Sequence, residues 1–354
     1  MRLNWFSPLP PAPTGVAEFT AGILPELAER FDLTLWTGTR EHDLALEKQA
    51  AIRFFPDFRV NDQDPDVVNV FNIGNNRAFH ERILQISRKH SGIIILHDLE
   101  LPNLRARFFF ARRVDPLQVA LARAIGVMVH SRPALEMVKK KARCPVRLQP
   151  LPYRTSTTAP AKRQDRHKLV RLIIFGFLGT NRSVETVLRA LQSYPRRSGL
   201  RLDIYGKVFK LQDFRRLVEK LELTDMVTFH GFVSSNELDE ALDRADLAIN
   251  LRHPTMGEAS GSQLKIWDHA LPSLVTPIGS YVDLPPGTVG YVNLETEIAD
   301  LHRHFDALQN DPKLYCRMGE EGRAALLSNR IGHRPDPPPR SRGAIVVRGI
   351  RTAP

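Results

Sequence analysis

Residues 250–281 read NLRHPTMGEASGSQLKIWDHALPSLVTPIGSY, and the order of predicted secondary structure around this segment indicates the class of fold. The apolar run Leu247–Ile249 just before it predicts a short buried strand. A polar loop follows, and a helix is predicted to open at Ser260, where small residues begin. A second short strand is predicted over Ser273–Thr276. This succession of strand, helix and strand is typical of a parallel α/β sheet.

The start of the predicted helix has the composition of an anion-binding site. Small residues at Ser260, Gly261 and Ser262 let a ligand approach the backbone closely. The N–H groups of the first turn have no acceptor inside the helix, and with the helix dipole they favour a phosphate. Glu258 lies at the edge of the same loop, where its carboxylate can accept hydrogen bonds from ligand hydroxyls. The alternative is that Ser260 only caps the helix and Glu258 is a surface acid.

This segment resembles the donor-binding signature of the retaining, nucleotide-sugar-dependent glycosyltransferases of family 4, which contain the glycosyl transferases group 1 domain. The resemblance implies an α/β protein of the GT-B fold, with two Rossmann-like doubly wound parallel-sheet domains facing a cleft. It implies that Glu258 is catalytic and contacts the donor sugar, while Ser260, Gly261 and Ser262 hold the diphosphate. Lys265 stands near the position of a second Glu that binds ribose in the family. We place Lys265 at the nucleotide, with phosphate contact or a solvated helix position as alternatives.

Length and composition indicate two ordinary domains in a reducing cytoplasm. The chain has 354 residues, of which 42% are hydrophobic, so it is too apolar to be disordered. Cys144 and Cys316 are far apart and suggest neither a disulfide framework nor a metal cluster. No apolar run approaches the roughly 20 residues that span a bilayer, and the first residues lack the apolar core of a signal peptide.

The net charge of +11 is concentrated at the end of the sequence. Residues 330–354 hold six arginines against one acid, Asp336, and so supply five of the eleven excess positive charges. The rest of the chain has an ordinary basic balance that suits phosphorylated ligands or an anionic membrane surface. Without a recognisable nucleic-acid motif, we expect no nucleic acid partner.

The first part of the chain predicts a βαβ unit. Leu3–Phe6 reads as a buried strand, a proline-rich loop follows, and apolar residues at helical spacing then lead to a second strand over Leu33–Thr37. The loop therefore lies at the carboxyl edge of a parallel sheet, where ligands of such sheets bind. It resembles the first loop of the family, which implies that Gly15 approaches the donor diphosphate. The alternative is a plain turn glycine.

Further buried strands are predicted at four places, each followed by a polar loop: Ile52–Phe55, Val67–Phe71, Ile93–Leu96 and Ile125–Val129. His97 follows the third of these strands, and the resemblance implies that it lines the catalytic centre near the donor sugar. We expect its imidazole to donate a hydrogen bond to a sugar or phosphate oxygen. Asn75 and Asp98 are expected to line the cleft, as is His130. The alternatives are that Asn75 shapes a turn and Asp98 caps a helix.

The polar segment 154–168 predicts a linker between two domains. The predicted organisation is an acceptor-side domain at 1–153, the linker, a nucleotide-sugar-binding domain at 169–328, and a disordered Arg/Pro-rich tail at 329–354. Residues 104–113 mix aromatic residues with four arginines. That composition suits contact with an anionic membrane, and equally a core helix with a basic outer face.

In the second domain the loops after successive strands supply donor-site candidates. GFLGTNR, residues 176–182, resembles the family loop whose basic residue neutralises the diphosphate, which implies that role for Arg182. Phe177 stands where the family often has a second basic residue, and Lys207 at the next strand end is expected to compensate. Phe232 and Val233 follow another strand and resemble the segment that recognises the nucleotide base. Surface positions are the alternative for Arg182 and Lys207.

The function implied is that of a hexosyl-type glycosyltransferase, metal-independent, that acts with retention and without a cofactor. The predicted donor is a UDP- or GDP-sugar, and the predicted acceptor is a glycan or a lipid-linked glycan in bacterial polysaccharide or cell-envelope biosynthesis. The predicted location is the cytoplasm or the inner face of the membrane. The alternatives are a catalytically impaired homologue that acts as a binding protein, and a sugar-nucleotide epimerase of the same fold.

Overall fold

The structure is a computed structural model, and it describes residues 1–58, 66–104, 115–155 and 169–328. The described residues fall into two units. The first unit contains those of Met1–Arg154 together with Met256–Ala259, and the second contains those of Thr155–Thr255 and Ser260–Asn329. The aromatic and arginine-rich segment 105–113, most of the predicted linker (156–168) and the predicted tail (329–354) lie outside the described residues. The domain boundaries given above stay predictions.

The first unit is built on a parallel sheet. Its strands are β1 Arg2–Phe6, β2 Asp32–Thr37, β3 Ala51–Phe54, β4 Val67–Ile73, β5 Gly92–Leu96, β6 Ala124–Val129 and β7 Val146–Leu148. The order across the sheet is β3-β2-β1-β4-β5-β6-β7, and every neighbouring pair is parallel. Strands therefore lie on both sides of β1, with β2 and β3 on one side and β4 to β7 on the other.

The helices of the first unit begin at capped positions. They are α1 Gly15–Ala28, α2 Arg77–Ser87, α3 Pro116–Leu121 and α4 Arg132–Lys139. Each is preceded by a Thr, Asn, Asp or Ser whose side chain accepts a hydrogen bond from a first-turn N–H: Thr14, Asn76, Asp115 and Ser131. No helix in the described ranges is long and apolar enough to cross a membrane.

The strands of the first unit bury both faces. Along β1, Leu3 and Trp5 belong to one apolar cluster, whereas Phe6 belongs to another with Trp36 and Phe71. Successive residues of a strand point to opposite faces, so the two clusters lie on opposite sides of the sheet. Helices cover both sides, as in doubly wound proteins.

The second unit repeats this plan. Its strands are β8 Val170–Phe175, β9 Leu200–Tyr205, β10 Val227–Gly231, β11 Leu247–Ile249, β12 Ser273–Val275 and β13 Gly290–Tyr291. The order is β10-β9-β8-β11-β12-β13, again parallel throughout. Its helices are α5 Val184–Ser193, α6 Leu211–Lys220, α7 Ser235–Arg244, α8 Gly261–Asp268, α9 Glu297–Asn310 and α10 Pro312–Ser328.

Each sheet has a point where the strand order reverses, beside its first strand. In the first unit β1 lies between β2 and β4, and in the second β8 lies between β9 and β11. The crevice outside the carboxyl ends of the strands at such a point is where open α/β sheets bind ligands. The two sheets confirm the predicted fold class of two Rossmann-like parallel-sheet units. The short strands β7 and β13 were not predicted, because runs of only three and two residues are too short to show a pattern.

Two glycines end the central strands of the second unit in a conformation that other residues rarely adopt. Gly176 and Gly206 both have a φ of +109°. A Cβ atom on Gly206 would overlap the carbonyl oxygen of Gly176. The close approach of these two strand ends therefore requires glycine at position 206.

We predict that Gly206→Ala lowers the free energy of unfolding by about 2 kcal/mol or more, because it combines backbone strain with a steric overlap. The control is Gly22→Ala in α1, where a Cβ would meet nothing within 4 Å. That substitution is expected to be neutral or to stabilise by about 0.5–1 kcal/mol. Urea denaturation followed by circular dichroism measures both, and equal effects in the two variants would contradict the prediction.

Candidate functional site

In the second unit, the buried side chain of Asn250 connects the elements around the switch point. Asn250 follows β11 directly and is 1% exposed. Its Oδ1 accepts a hydrogen bond from Arg182 Nη2 at 2.8 Å, and its Nδ2 donates to Gln263 Oε1 at 2.9 Å. Asn250 thereby joins the loop after β8 to the first turn of α8. Asn250 and Gln263 were not among the predicted site residues, although a polar residue at the end of an apolar strand was an available signal for Asn250.

The start of α8 has a buried capping residue followed by two more exposed residues. Ser260 is buried, and its Oγ accepts hydrogen bonds from the Gln263 N–H and the Tyr281 hydroxyl, both at 3.2 Å. Its hydroxyl oxygen therefore acts as the helix cap. Gly261 is exposed and Ser262 partly exposed. Their amides lie in the first turn, where no acceptor exists inside the helix, so these two residues keep the features of an anion site.

Arg182 ends a 3-10 turn that follows β8, and it is only 6% exposed. Its Nη2 also approaches the Phe175 carbonyl oxygen at 3.4 Å. Its predicted alternative as a surface residue is therefore wrong, because the guanidinium is enclosed at the carboxyl end of the central strand. The side chain carries a fixed positive charge close to the start of α8.

Lys207 and Phe232 lie in loops at the same carboxyl edge. Lys207 is exposed, and its carbonyl oxygen accepts a hydrogen bond from the Leu178 N–H at 2.9 Å, which pairs the loops after β8 and β9. Phe232 is 78% exposed, whereas Val233 packs against the apolar core. Phe232 therefore presents an exposed aromatic ring, and contact of Phe232 or Val233 with a nucleotide base stays a prediction.

Lys265 is held by a network between α7 and α8. Its Nζ lies 2.5 Å from Asp239 Oδ1, and His269 contacts both Asp239 at 3.0 Å and Asp243 at 2.7 Å. Burial alone would raise the pKa of Asp239, but the Lys265 hydrogen bond and charge lower it. The ammonium group of this partly exposed side chain is thus paired with a carboxylate. Contact of Lys265 with a ribose stays a prediction.

In the first unit a buried asparagine again lies at the switch point. Asn72 on β4 is fully buried, and its Nδ2 donates to the Phe6 carbonyl oxygen at 3.2 Å. Its Oδ1 lies 3.0 Å from His97 Nε2, and its carbonyl oxygen accepts from His80 Nδ1 at 3.1 Å. Because the Asn72 amide nitrogen already donates to Phe6, its oxygen must accept from His97, which assigns the His97 proton to Nε2.

This assignment corrects the expected role of His97. The neutral ring donates to Asn72, so it presents only Nδ1, a hydrogen-bond acceptor, to a ligand. The Phe19 ring lies edge-on at 4.7 Å, and the His130 ring is 5.1 Å away. Burial, reinforced by the charges that His130 and His80 carry when protonated, holds the pKa of His97 well below its usual range. His97 is therefore neutral near pH 7.

Asn75 and Asp98 hold loops together. The Asp98 carboxylate accepts a hydrogen bond from the Asn75 N–H at 2.6 Å, and Asn75 Oδ1 accepts from the Asn103 N–H at 3.0 Å. The loops after β4 and β5 are thereby fixed to each other. Gly15 is exposed at the start of α1, and a Cβ there would meet nothing within 4 Å. The chain itself does not require glycine at this position.

Glu258 belongs to the first unit, in the segment Met256–Ala259. The Met256 carbonyl oxygen accepts hydrogen bonds from the N–H groups of Leu99 and Glu100 at 2.7 and 3.0 Å. Glu258 Oε2 accepts from the Met256 N–H at 2.7 Å. The glutamate is therefore anchored beside the loop after β5, the loop that also carries His97. This pairing was not predicted, because the two segments are far apart in the chain.

Within the described ranges, no group of three or more His, Cys, Asp or Glu side chains is arranged to hold a metal ion. The absence of a metal from the reaction stays a prediction.

Residues 156–325 match the family model described as Glycosyl transferases group 1. The match identifies a domain of this class in the second part of the chain, the part that contains Arg182, Asn250 and α8. Together with the fold, it supports a glycosyltransferase enzyme. The comparison with curated proteins gave no significant match.

Similar solved structures extend over nearly the whole chain. HepE from Anabaena, in complex with UDP and glucose, is 14% identical with a TM-score of 0.71, and 93% of this chain and 95% of that chain are covered. Sucrose-phosphate synthase from Thermosynechococcus elongatus is 13% identical (TM-score 0.68), with 93% and 94% covered. WaaG, a glycosyltransferase involved in lipopolysaccharide biosynthesis, is 16% identical (TM-score 0.66), with 92% and 95% covered. At these identities the comparison establishes the shared GT-B fold.

We predict that Asn250→Ala lowers the free energy of unfolding by roughly 2–4 kcal/mol, because it removes a buried acceptor for Arg182 and the donor to Gln263. The control is Asn310→Ala, which removes an exposed acceptor for Arg196 Nη1 at 3.3 Å. Exposed pairs contribute little, so the control is expected to cost less than about 0.5 kcal/mol. Urea denaturation measures both, and comparable costs would show that the Asn250 contacts do not organise the switch point.

We predict that stability falls with acidification from pH 6.5 to about 4. Burial lowers the pKa of His80 from 6.5 to about 4 in spite of its bond to the Asn72 carbonyl. The unfolded chain binds the proton more readily over this range, so His80 alone reduces the free energy of unfolding by about 3 kcal/mol, and its effect levels off below pH 4. His80→Asn keeps a donor to Asn72 but does not titrate. Urea denaturation at several pH values should show a flatter slope for this variant, and an unchanged slope would contradict the assignment.

Proposed function

We propose that the protein is a retaining, metal-independent glycosyltransferase that transfers a sugar from a nucleotide-sugar donor to a glycan or lipid-linked acceptor. The observation that carries this proposal is the start of α8. Gly261, which is exposed, and Ser262, which is partly exposed, carry first-turn amides next to a buried network that also fixes the Arg182 guanidinium. This arrangement offers a diphosphate both hydrogen-bond donors and positive charge, and it lies inside the residues that match the glycosyltransferase family model.

The donor is a UDP- or GDP-sugar, with UDP-glucose the first compound to test. HepE is described in complexes with UDP, with UDP and glucose, and with UDP-glucose, which supports this order of testing. Phe232 is suited to stack on the base because most of its ring is exposed. Lys207, exposed in the loop after β9, adds a mobile positive charge for the phosphates.

The chemistry follows from charge that develops on the leaving group. As the bond between the anomeric carbon and the diphosphate oxygen breaks, negative charge builds up on the diphosphate. The α8 amides and Arg182 stabilise that charge without rearranging, because hydrogen bonds already fix their positions. In other enzymes the loss of one such preorganised donor reduces the rate by about 10²–10³.

The sugar is held by acceptors in the first unit. His97 presents a neutral Nδ1, and Glu258 presents a carboxylate anchored to the loop after β5, so both are suited to receive sugar hydroxyl protons. Their role is to orient the anomeric centre as it gains positive character. Analysis of the product linkage by NMR tests retention directly.

The acceptor and the setting are proposed from the family resemblance. A glycan or lipid-linked glycan in bacterial polysaccharide or envelope biosynthesis is the proposed acceptor. The proposed place of action is the cytoplasm, with peripheral contact at the inner face of the membrane. The excess of basic residues supports contact with an anionic surface.

A catalytically impaired homologue is the second candidate, and one observation favours it. Lys265 stands near the position of the second acid of the family signature, and its ammonium group is engaged with Asp239. If the lost acid were needed for turnover, the protein would bind a donor and release no sugar. Detection of UDP released from UDP-glucose separates the two candidates.

We predict that one nucleotide class raises the melting temperature in a panel of UDP-glucose, GDP-mannose and ADP-glucose. A ligand at about 100 times its Kd adds about 2.7 kcal/mol to the free energy of unfolding. Lys207→Ala is expected to weaken binding of that donor roughly three- to tenfold through the loss of a charge at the phosphates.

The control for this variant is Lys220→Ala at the last residue of α6. Like Lys207, Lys220 is an exposed lysine, so the substitution removes the same charge. Because α6 runs antiparallel to the strands, its last residue lies at the amino edge of the sheet, away from the carboxyl edge that carries Lys207. Donor affinity should be unchanged in the control. Equal weakening in both variants would indicate a general charge effect, and no shift with any nucleotide sugar would contradict the proposed function.

A further inference from the structure

His130 carries a hydrogen-bond acceptor that the described protein residues leave without a donor. The residue follows β6, and its Nδ1 lies 2.8 Å from the Gln149 carbonyl oxygen. A carbonyl oxygen only accepts, so the proton of the neutral ring lies on Nδ1 and Nε2 has a lone pair. Nε2 is buried and has no hydrogen-bond partner within the described residues. Buried polar atoms of this kind are rare in folded proteins.

The surroundings keep this nitrogen an acceptor. Burial lowers the pKa of His130 to about 4, against the opposing effect of its bond to Gln149, so the ring is neutral near pH 7. The His97 ring lies 5.1 Å away and the Phe19 ring 5.6 Å away. The His97 ring donates its Nε2 proton to Asn72, so its Nδ1 is likewise an acceptor. Two neutral acceptors therefore lie side by side with an aromatic ring.

This combination selects the chemistry of a ligand. Two uncharged acceptors offer nothing to a phosphate or a carboxylate, which need donors or positive charge. They suit neighbouring hydroxyl groups, and an aromatic ring suits the apolar face of a sugar. We propose that His130 Nε2 accepts a hydrogen bond from a hydroxyl group of a neutral sugar substrate. The proposal rests on the proposed glycosyltransferase function and adds His130 to the residues that contact its substrate.

The sugar has two possible sources, the transferred sugar of the donor or the sugar of the acceptor. The same hydrogen bond serves in both cases, and kinetics distinguish them. Phe19, His97 and His130 are all partly exposed, and binding requires a side-chain movement that uncovers Nε2.

Two substitutions separate the ligand contact from the structural bond. His130→Asn places an amide nitrogen where Nδ1 was, so it keeps the donor to Gln149 and removes the acceptor. His130→Gln places an amide oxygen near the former Nε2, so it keeps an acceptor and removes the donor to Gln149. A ligand role and a structural role therefore predict opposite rankings of the two variants.

The experiment measures UDP release from UDP-glucose, with glucose and maltose as added acceptor probes, and the affinities for UDP-glucose and for UDP. We expect His130→Asn to reduce kcat/KM roughly three- to tenfold at unchanged melting temperature and unchanged UDP affinity. His130→Gln should retain most of the activity even where its melting temperature falls. Weaker binding of UDP-glucose assigns the contact to the donor sugar, and a raised KM for only the added sugar assigns it to the acceptor.

NMR spectroscopy of the His130 ring tests the same hydrogen bond independently of activity. In long-range ¹H–¹⁵N spectra, assigned with His130→Asn, the His130 ring should show the Nδ1–H form. Its Nε2 resonance should move when UDP-glucose with glucose is added and stay in place with UDP alone. Wild-type activity in His130→Asn, with no movement of Nε2, would overturn the proposal and leave a structural role, with water as the partner of Nε2. A wild type that binds none of UDP-glucose, GDP-mannose and ADP-glucose would instead refute the proposed function on which it rests.

Discussion

A buried asparagine beside the central strand of each sheet is the constraint on which the candidate site residues of that unit depend. Asn72 lies on β4, next to β1, and Asn250 follows β11, next to β8, so the two occupy corresponding places in the two sheets. A primary amide has donors and an acceptor on one planar group, so it can satisfy partners on both sides at once. Asn72 joins Phe6 to His97, and Asn250 joins Arg182 to Gln263. An apolar residue at either place would leave those buried groups without partners, which is unfavourable.

The two asparagines produce opposite electrostatic surroundings. Around Asn250 the fixed groups are a guanidinium and helix-start amides, which favour negative charge. Around Asn72 the fixed groups are histidines that burial keeps neutral, and they favour hydroxyls. A nucleotide sugar has both kinds of group, a charged diphosphate and an uncharged sugar. The surroundings of Asn250 therefore suit the first kind of group, and those of Asn72 suit the second.

Local patterns in the sequence predicted the fold class, because apolar runs and helix caps depend only on residues that are close together in the chain. These patterns could not predict the order of strands in each sheet or the contacts between distant residues. Arg182 looked like a surface residue or a phosphate ligand, yet it is buried through a bond to a residue 68 positions away. The tautomer of His97 depends on Asn72, 25 positions away, and the partner of Lys265 lies on another helix. Periodicity carries no information about such pairs. The roles assigned to the individual site residues stay predictions.

The measurement that tests the central claim most directly is a crystal structure of the protein with UDP. The account predicts that diphosphate oxygens lie about 3 Å from the amide nitrogens of Gly261 and Ser262. It also predicts that Asn250 keeps its hydrogen bonds to Arg182 and Gln263. A nucleotide bound away from the start of α8, or an Asn250 side chain that releases Arg182 when the nucleotide binds, would contradict the account.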